Sequence, residues 1–205
     1  MLDVEEICRL HETTAARWHR EAIDNPHEGL LGVVCEQHAC NFRLWHEEDP
    51  AHDGGAEDAR LAQAKRTINR LNKQRNDWIE ALDEMLLERL GRQGVRPAAD
   101  APLNTETPGS AIDRLSILSL RIYHLQEILD ASQPDTPRRR EAHSRLTLCR
   151  EQLQDLAGAL SQLLQDVAAG RKRLKVHRHL KMYDDPRFNP HLAERAGRTG
   201  QAEQG

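Results

Sequence analysis

Residues 34–49 read VCEQHACNFRLWHEED, which puts two cysteines, two histidines and four acids into sixteen positions. The stretch is either a metal-binding segment or one helix with a polar stripe, and counting positions decides between them. At about 100° per residue, Leu31, Val34, Cys35, His38, Asn41, Phe42, Trp45 and Asp49 share one side of a helix. Glu36, Cys40, Arg43 and Glu47 share the other. Cys40 then lies nearly opposite His38, and a Cys-His-Cys zinc site, whose ligands must converge within about 2.0–2.3 Å of the metal, cannot close on a continuous helix. The helical reading stands. It leaves His38, Asn41 and Asp49 among apolar neighbours, where polar groups are costly unless paired.

Two further segments repeat the pattern. In residues 65–86, KRTINRLNKQRNDWIEALDEML, the face of Ile68, Ile79 and Leu86 also carries Asn72, Arg75, Asn76 and Asp83, flanked by Asn69 and Glu80. Asn is a mediocre helix former and seldom sits inside. In residues 111–130, AIDRLSILSLRIYHLQEILD, Leu115, Leu118, Ile122, Leu125 and Leu129 line one side. Asp113, Ile117, Leu120, His124 and Ile128 line the other. Asp113 and His124 are separated by about 16 Å along such an axis, too far to share an ion. Three helices that each bring polar residues to an apolar face can surround a common polar pocket, as bundles often do. The competing reading is a buried hydrogen-bond network that only fixes helix register.

Apolar spacing is helical along nearly the whole chain. A first helix is expected over residues 2–24, stopping before Asn25-Pro26, and a second over 28–49, ended by Pro50. A third is expected over 57–90 with Gly91 as its C-cap. A fourth starts near TPGSAID, capped by Thr107 with Pro108 at the first helical position, or by Ser110 with Asp113. The fifth runs from about residue 135 to 181, with a break at Gly170 allowed. The expected architecture is all-α: a single-domain bundle of about five helices over residues 1–192, two of them long. A short C-terminal turn segment (KMYDDPRFNP) and a disordered tail over 193–205 complete it. Trp18 and Trp78 are expected in the core. His11, His19, His27, His143, His177, His179 and His191 read as surface positions.

Composition narrows the function classes. Charged residues make up 30% of the 205 and aromatics 3%, which favours helices over strands. The net charge of -4 is uneven: residues 1–60 carry fourteen acids and five bases, residues 136–190 twelve bases and six acids. Segment 171–181, RKRLKVHRHLK, holds six Lys/Arg, read here as the end of the fifth helix pairing with the acidic N-terminal region. Its charges would spread around that helix, unlike a membrane-surface helix. Without interleaved aromatics, and in an acidic chain, it argues against nucleic acid. The longest apolar run is far below the roughly 20 residues that cross a bilayer. The four cysteines form no C-x-x-C pair, and MLDVEEICRLHE is acidic where a signal peptide is basic, so a cytoplasmic setting with free thiols is expected.

The motifs HxxNxxLWHEED, KRxIxxLNxxRNDxIExxD, TPGSxIDRLSILxLxIYH and KMYxDPxxNP, in that order over residues 15–192, resemble the bacterial family known as domain of unknown function 4254 (DUF4254). The resemblance implies a helical bacterial protein and suggests a link to cell-surface polysaccharide metabolism, without an activity to carry over. Asn69 stands where the family usually has Asp. The functional expectation is a pocket that binds, and in its stronger form turns over, a small polar or anionic metabolite. His38, Asp49, Asp83, Asp113 and His124 are the candidate acid/base groups. Asn41, Trp45, Glu48, Lys65, Arg66, Asn72, Arg75, Asn76, Glu80 and Arg114 are the candidate ligand contacts, the basic ones suited to phosphate or carboxylate. A divalent metal held by the carboxylates is the lesser version, because no E-x-x-E or H-x-x-x-H pair faces inward. The alternative is a non-enzymatic interaction protein with a structural polar network, for which the long helices would also allow a homodimer.

Overall fold

A computed structural model describes residues 2–51, 58–180 and 187–190, with side chains omitted at 48–51 and 58. Five helices follow one another: α1 (Val4–Trp18), α2 (Gly29–Ala51), α3 (Asp58–Arg92), α4 (Pro108–Ala131) and α5 (Pro137–Ala168). No strand occurs among the described residues; the one bridge pairs Leu103 with Arg173. The two longest helices are α3, of 35 residues, and α5, of 32. The all-α bundle expected from apolar spacing is therefore what the chain forms. Helix α2 lies along α3 and α4 along α5, while α1 covers the α4 side and touches α2 and α5.

Local chemistry sets the helix ends. Asp3 caps α1 by accepting from Glu5 N. Thr107 caps α4 and Thr136 caps α5, each followed by proline at the first helical position, where a missing N–H costs nothing. Of the two caps considered for α4, Thr107 is the one used: its hydroxyl accepts from Ser110 N at 3.2 Å.

Three boundaries differ from the sequence expectation. Helix α1 stops at Trp18 rather than near residue 24. Asp24 turns back to accept from Trp18 Nε1 at 3.2 Å and to pair with Arg17, and Asn25 Nδ2 donates to Gly32 O at 2.9 Å, tying the loop to α2. Helix α3 passes through Gly91 and ends at Gly94, whose φ of 71° takes the left-handed position. Gly94 N bonds Gly91 O and Val95 N bonds Leu90 O, both at 3.0 Å, the paired bonds of a Schellman cap. Gly170, also at φ 71°, ends α5 in the same way. The basic segment beyond it is thus not a helix. Residues 171–180 run extended beside the α3–α4 connector, with Asn104 N donating to Arg173 O and Arg173 N to Pro102 O, each at 2.9 Å. Among the described residues its charges meet α5 and α3 rather than the acidic N-terminal region: Arg171 and Lys172 pair with Asp166, and Arg178 with Glu80 and Glu84.

The main core joins α1, α2, α3, α4 and α5 through Ile7, Val34, Cys35, Leu82, Ile112, Leu115 and Leu160, all buried. Burying each such aliphatic chain contributes roughly 1.5–3 kcal/mol. A smaller cluster of Leu129, Ala142 and Leu146 closes the α4–α5 end. Trp18 is buried as expected and Trp78 is half-buried. All four cysteines are free. Of the C-terminal turn segment, residues 181–186 lie outside the described part, as does the tail expected over 193–205. Phe188 is exposed.

The start of α4 presses directly on α3. A Cβ placed on Gly109 would sit 2.6 Å from Ile79 O and 2.9 Å from Asp83 Oδ1, whereas Gly158 in α5 has nothing within 4 Å. Gly109→Ala is expected to lower the free energy of unfolding by about 1–3 kcal/mol, as overpacking does. Gly158→Ala should raise it by about 0.5–1 kcal/mol through helix propensity. Urea denaturation of both variants checks the pair, and equal effects of the same sign would contradict the close contact.

Candidate functional site

Three polar residues of helix α2 turn inward and are covered by its neighbours. Gln37 and His38 have no exposed surface and Asn41 is buried. All three reach α4. Gln37 Nε2 donates to Asp113 Oδ1. Asn41 Nδ2 donates to Asp113 Oδ1 and to Ser116 Oγ, both at 2.9 Å. His38 Nδ1 lies 2.7 Å from Ser116 Oγ. From α3, Arg75 Nε stands 3.9 Å from Asp113 Oδ1, with 26% of the Arg75 side chain and 12% of the Asp113 side chain exposed. The cluster therefore has a sealed inner end at His38 and Ser116 and an outer end that solvent reaches. Burial raises the pKa of Asp113 above the usual carboxylate range, against the pull of Arg75, Asn41 and Gln37.

One position on α1 completes the inner end. His11, assigned to the surface by its sequence context, is fully buried. Its ring stacks on His38 at 4.6 Å between centroids, and Trp18 also stacks on His38 at 5.3 Å. Neither ring nitrogen of His11 has a hydrogen-bond partner. Burial lowers its pKa to about 3, and lowers that of His38 well below the ordinary value, with His11 itself adding to the effect. Both imidazoles are neutral at pH 7.

Asp83, on α3, occupies a separate place and meets α4 one turn before Asp113. Its Oδ1 accepts from Gly109 N at 2.7 Å, so the carboxylate clasps the first turn of α4, where the orphan amides and the dipole favour negative charge. Burial raises its pKa, opposed by the Thr107 hydroxyl and the Gly109 amide. Asp83 also lines an open cleft of about 310 Å³ with Ile79, Thr107, Ser110, His177 and His179. The extended segment forms the outer wall of this cleft: His179 N donates to Glu80 Oε1 at 2.6 Å and the His179 ring lies 3.1 Å from the same oxygen. Burial pushes the Glu80 pKa up, but these bonds and Arg178 outweigh it and hold it below the usual range.

The single pocket expected from the three stripes is thus divided. His38, Asn41, Arg75 and Asp113 come together, and Asp83 and Glu80 adjoin the neighbouring cleft. Asn72 and Asn76 are half-buried, on the α3 face of Arg75. His124 does not join them. It lies near the other end of α4, its ring stacked on Trp45 at 4.6 Å and 6°. Lys65 and Arg66 are exposed, Arg66 bonding Gln63 on its own helix. Arg114 is exposed and pairs with Glu106 at 2.8 Å. These three do not reach the cluster, because a helix that packs one face on the bundle turns the others to water. The side chains of Glu48 and Asp49 lie outside the described part. The sequence reading missed His11 and Gln37; the spacing of His11 and Trp18, seven residues apart on the apolar side of α1, is the signal that places His11 inside.

The family described as Protein of unknown function (DUF4254) matches residues 31–176. The chain belongs to this family, and the matched segment carries α2 to α5 and with them the whole Asp113 cluster except His11. No curated protein and no solved structure matches it. No described helix is long and apolar enough to cross a membrane.

The depressed histidines give stability a definite pH dependence. A group whose pKa falls on folding contributes stability that is complete above its unfolded value, near 6.5, and is lost as pH drops towards the folded value, about 3 for His11. The loss approaches about 1.4 kcal/mol per pH unit for each such histidine. In the carboxylate range the raised Asp83 and Asp113 act in the opposite sense, so the steepest decline is expected just below pH 6.5. His11→Phe keeps an aromatic ring against His38 and removes one of these protons. Its unfolding free energy, followed from pH 7.5 to 5, should fall less steeply than that of the parent chain by about one proton. Parallel slopes would show that His11 is not neutral in the folded state.

Proposed function

We propose that the protein binds a small polar or anionic ligand in the groove between α3 and α4, beneath the extended 171–180 segment. The half-buried Arg75 guanidinium carries the reading: its Nε is buried, makes no hydrogen bond, and faces a carboxylate at 3.9 Å rather than at bonding distance. A guanidinium with unused donors at the solvent-reached end of the Asp113 cluster suits phosphate or carboxylate, which it can hold with two parallel bonds. The adjoining cleft offers Asp83, His177 and His179 to such a molecule. Asp113 is the group placed to exchange a proton with it. His38, sealed from solvent, positions Ser116 and Asn41 rather than touching the ligand, and His124 takes no part. The link to cell-surface polysaccharides that the family resemblance suggests makes sugar nucleotides and sugar phosphates the first ligands to try. The scaffold alternative draws on the same network, which would then serve helix register alone.

Thermal unfolding in the presence of inorganic phosphate, nucleotides, sugar nucleotides, sugar phosphates and dicarboxylates tests this. A ligand at 100 times its Kd adds about 2.7 kcal/mol of stability. Arg75→Gln should weaken binding of the active compound about 10- to 100-fold, the worth of one charged hydrogen-bond pair. Absence of a shift with every class, or binding indifferent to Arg75, would leave the structural network as the better account.

A further inference from the structure

His19, His46 and His124 come from three helical regions: the C-cap of α1, the last turns of α2 and the C-terminal part of α4. Each offers a ring nitrogen, and these atoms all lie within 4.8 Å of one another. From this convergence we propose that the three histidines form a binding site for a late first-row divalent ion of the Zn²⁺, Co²⁺ or Ni²⁺ type.

Two of the rings are held in the tautomer a metal needs. His19 Nδ1 lies 2.6 Å from Ala15 O. His124 Nδ1 lies 2.9 Å from Glu127 Oε2. A carbonyl and a carboxylate only accept, so each Nδ1 carries the proton and each Nε2 presents a lone pair. Both Nε2 atoms are buried and neither has a hydrogen-bond partner. Two buried lone pairs aimed into the same space as a third imidazole repel one another, and a cation relieves that. The Glu127 carboxylate behind His124 is the outer support that metal-binding histidines regularly have, where it fixes the ring and raises its basicity.

The surroundings restrain the rings. Trp45 stacks on His124, and Tyr123 stacks on His19 at 4.2 Å between centroids. Phe42 stands edge-on to His19 and His46. His46 is exposed, which gives the ion an entry path and leaves a coordination position towards water. Tetrahedral ligands at about 2.0–2.1 Å from a shared ion stand roughly 3.4 Å apart, so closing the site from the present spacing takes small ring rotations. Three imidazoles favour Zn²⁺, Ni²⁺ or Cu²⁺ over Mg²⁺ or Ca²⁺, which prefer oxygen. This site shares no residue with the Arg75–Asp113 groove and stands or falls independently of it.

The test uses the untagged full-length chain, stripped with a chelator and titrated with Zn²⁺ by calorimetry and with Co²⁺ by visible absorption. One equivalent is expected to bind, with intense d–d bands of low-coordinate cobalt and a rise in Tm. His46→Ala removes an exposed ligand, so it should keep the apo Tm and lose the bands. Glu127→Gln, also at the surface, should bind 10- to 100-fold more weakly, and Arg75→Gln should bind as the parent does. Stoichiometry well below one, a spectrum of octahedral surface-bound cobalt, or affinity unchanged in both His46→Ala and Glu127→Gln would overturn the proposal.

Discussion

The bundle is organised around one carboxylate, that of Asp113, lowered into the seam of α2, α3 and α4. Burying a carboxylate costs several kcal/mol unless neighbours replace its water. Here Gln37 and Asn41 donate from successive turns of α2 and Arg75 approaches from α3. These partners function only if the three helices hold one register, since sliding α2 by a turn would leave Asp113 and Ser116 without donors. An apolar replacement of the same shape would pack as tightly while specifying less. Such a network is therefore weak as a source of net stability and strong as a selector of one packing among several. The Asp83–Gly109 clasp acts on the same pair of helices from one turn earlier and fixes how closely α4 approaches α3.

Much of this arrangement can be read from the sequence, and the limits have physical causes. Helix number, the Thr107-Pro108 start of α4 and the inward stripe of His38, Asn41, Arg75 and Asp113 follow from periodicity and capping chemistry, which are local. Where α3 and α5 end is less legible, because Gly91, Gly94 and Gly170 look alike in sequence. Only the left-handed φ at Gly94 and Gly170 separates a cap from a glycine that stays in the helix. The extended course of residues 171–180 depends on Glu80 and Glu84, about ninety residues earlier, and no local pattern announces a partner at that distance.

The division of the polar residues into separate places also escapes a stripe analysis. A helical wheel gives direction around an axis and says nothing about position along it. Asp113 and His124 share a face of α4, yet about 16 Å of helix separates them, enough to put one in the interior cluster and the other beside Trp45. His19 is harder still, since as the C-cap of α1 it has left the helical wheel altogether. Its assignment to the surface reflects a rule that fails where a helix end is folded back against its neighbours.

The two groups of histidines are nonetheless joined by ring contacts. His11, His38, Trp18, Phe42, His19 and His124 form an unbroken series of stacked and edge-on rings from the sealed interior to the surface. Along this series burial sorts the imidazoles. His11 and His38, fully enclosed, are held neutral and serve as flat packing surfaces whose polar edge is either paired to Ser116 or left bare. His124, 19% exposed at its side chain, keeps one nitrogen paired to Glu127 and one unpaired. His46 meets solvent directly. The same side chain thus has different chemistry at successive depths: inside, desolvation removes the charge and the ring behaves as an aromatic spacer; at the rim, a neutral ring with a fixed tautomer becomes a base. A chain with only 3% aromatic residues draws on histidine for ring area that Phe, Tyr and Trp would otherwise supply. The consequence is a core whose integrity is tied to proton concentration, which an all-hydrocarbon core would not be.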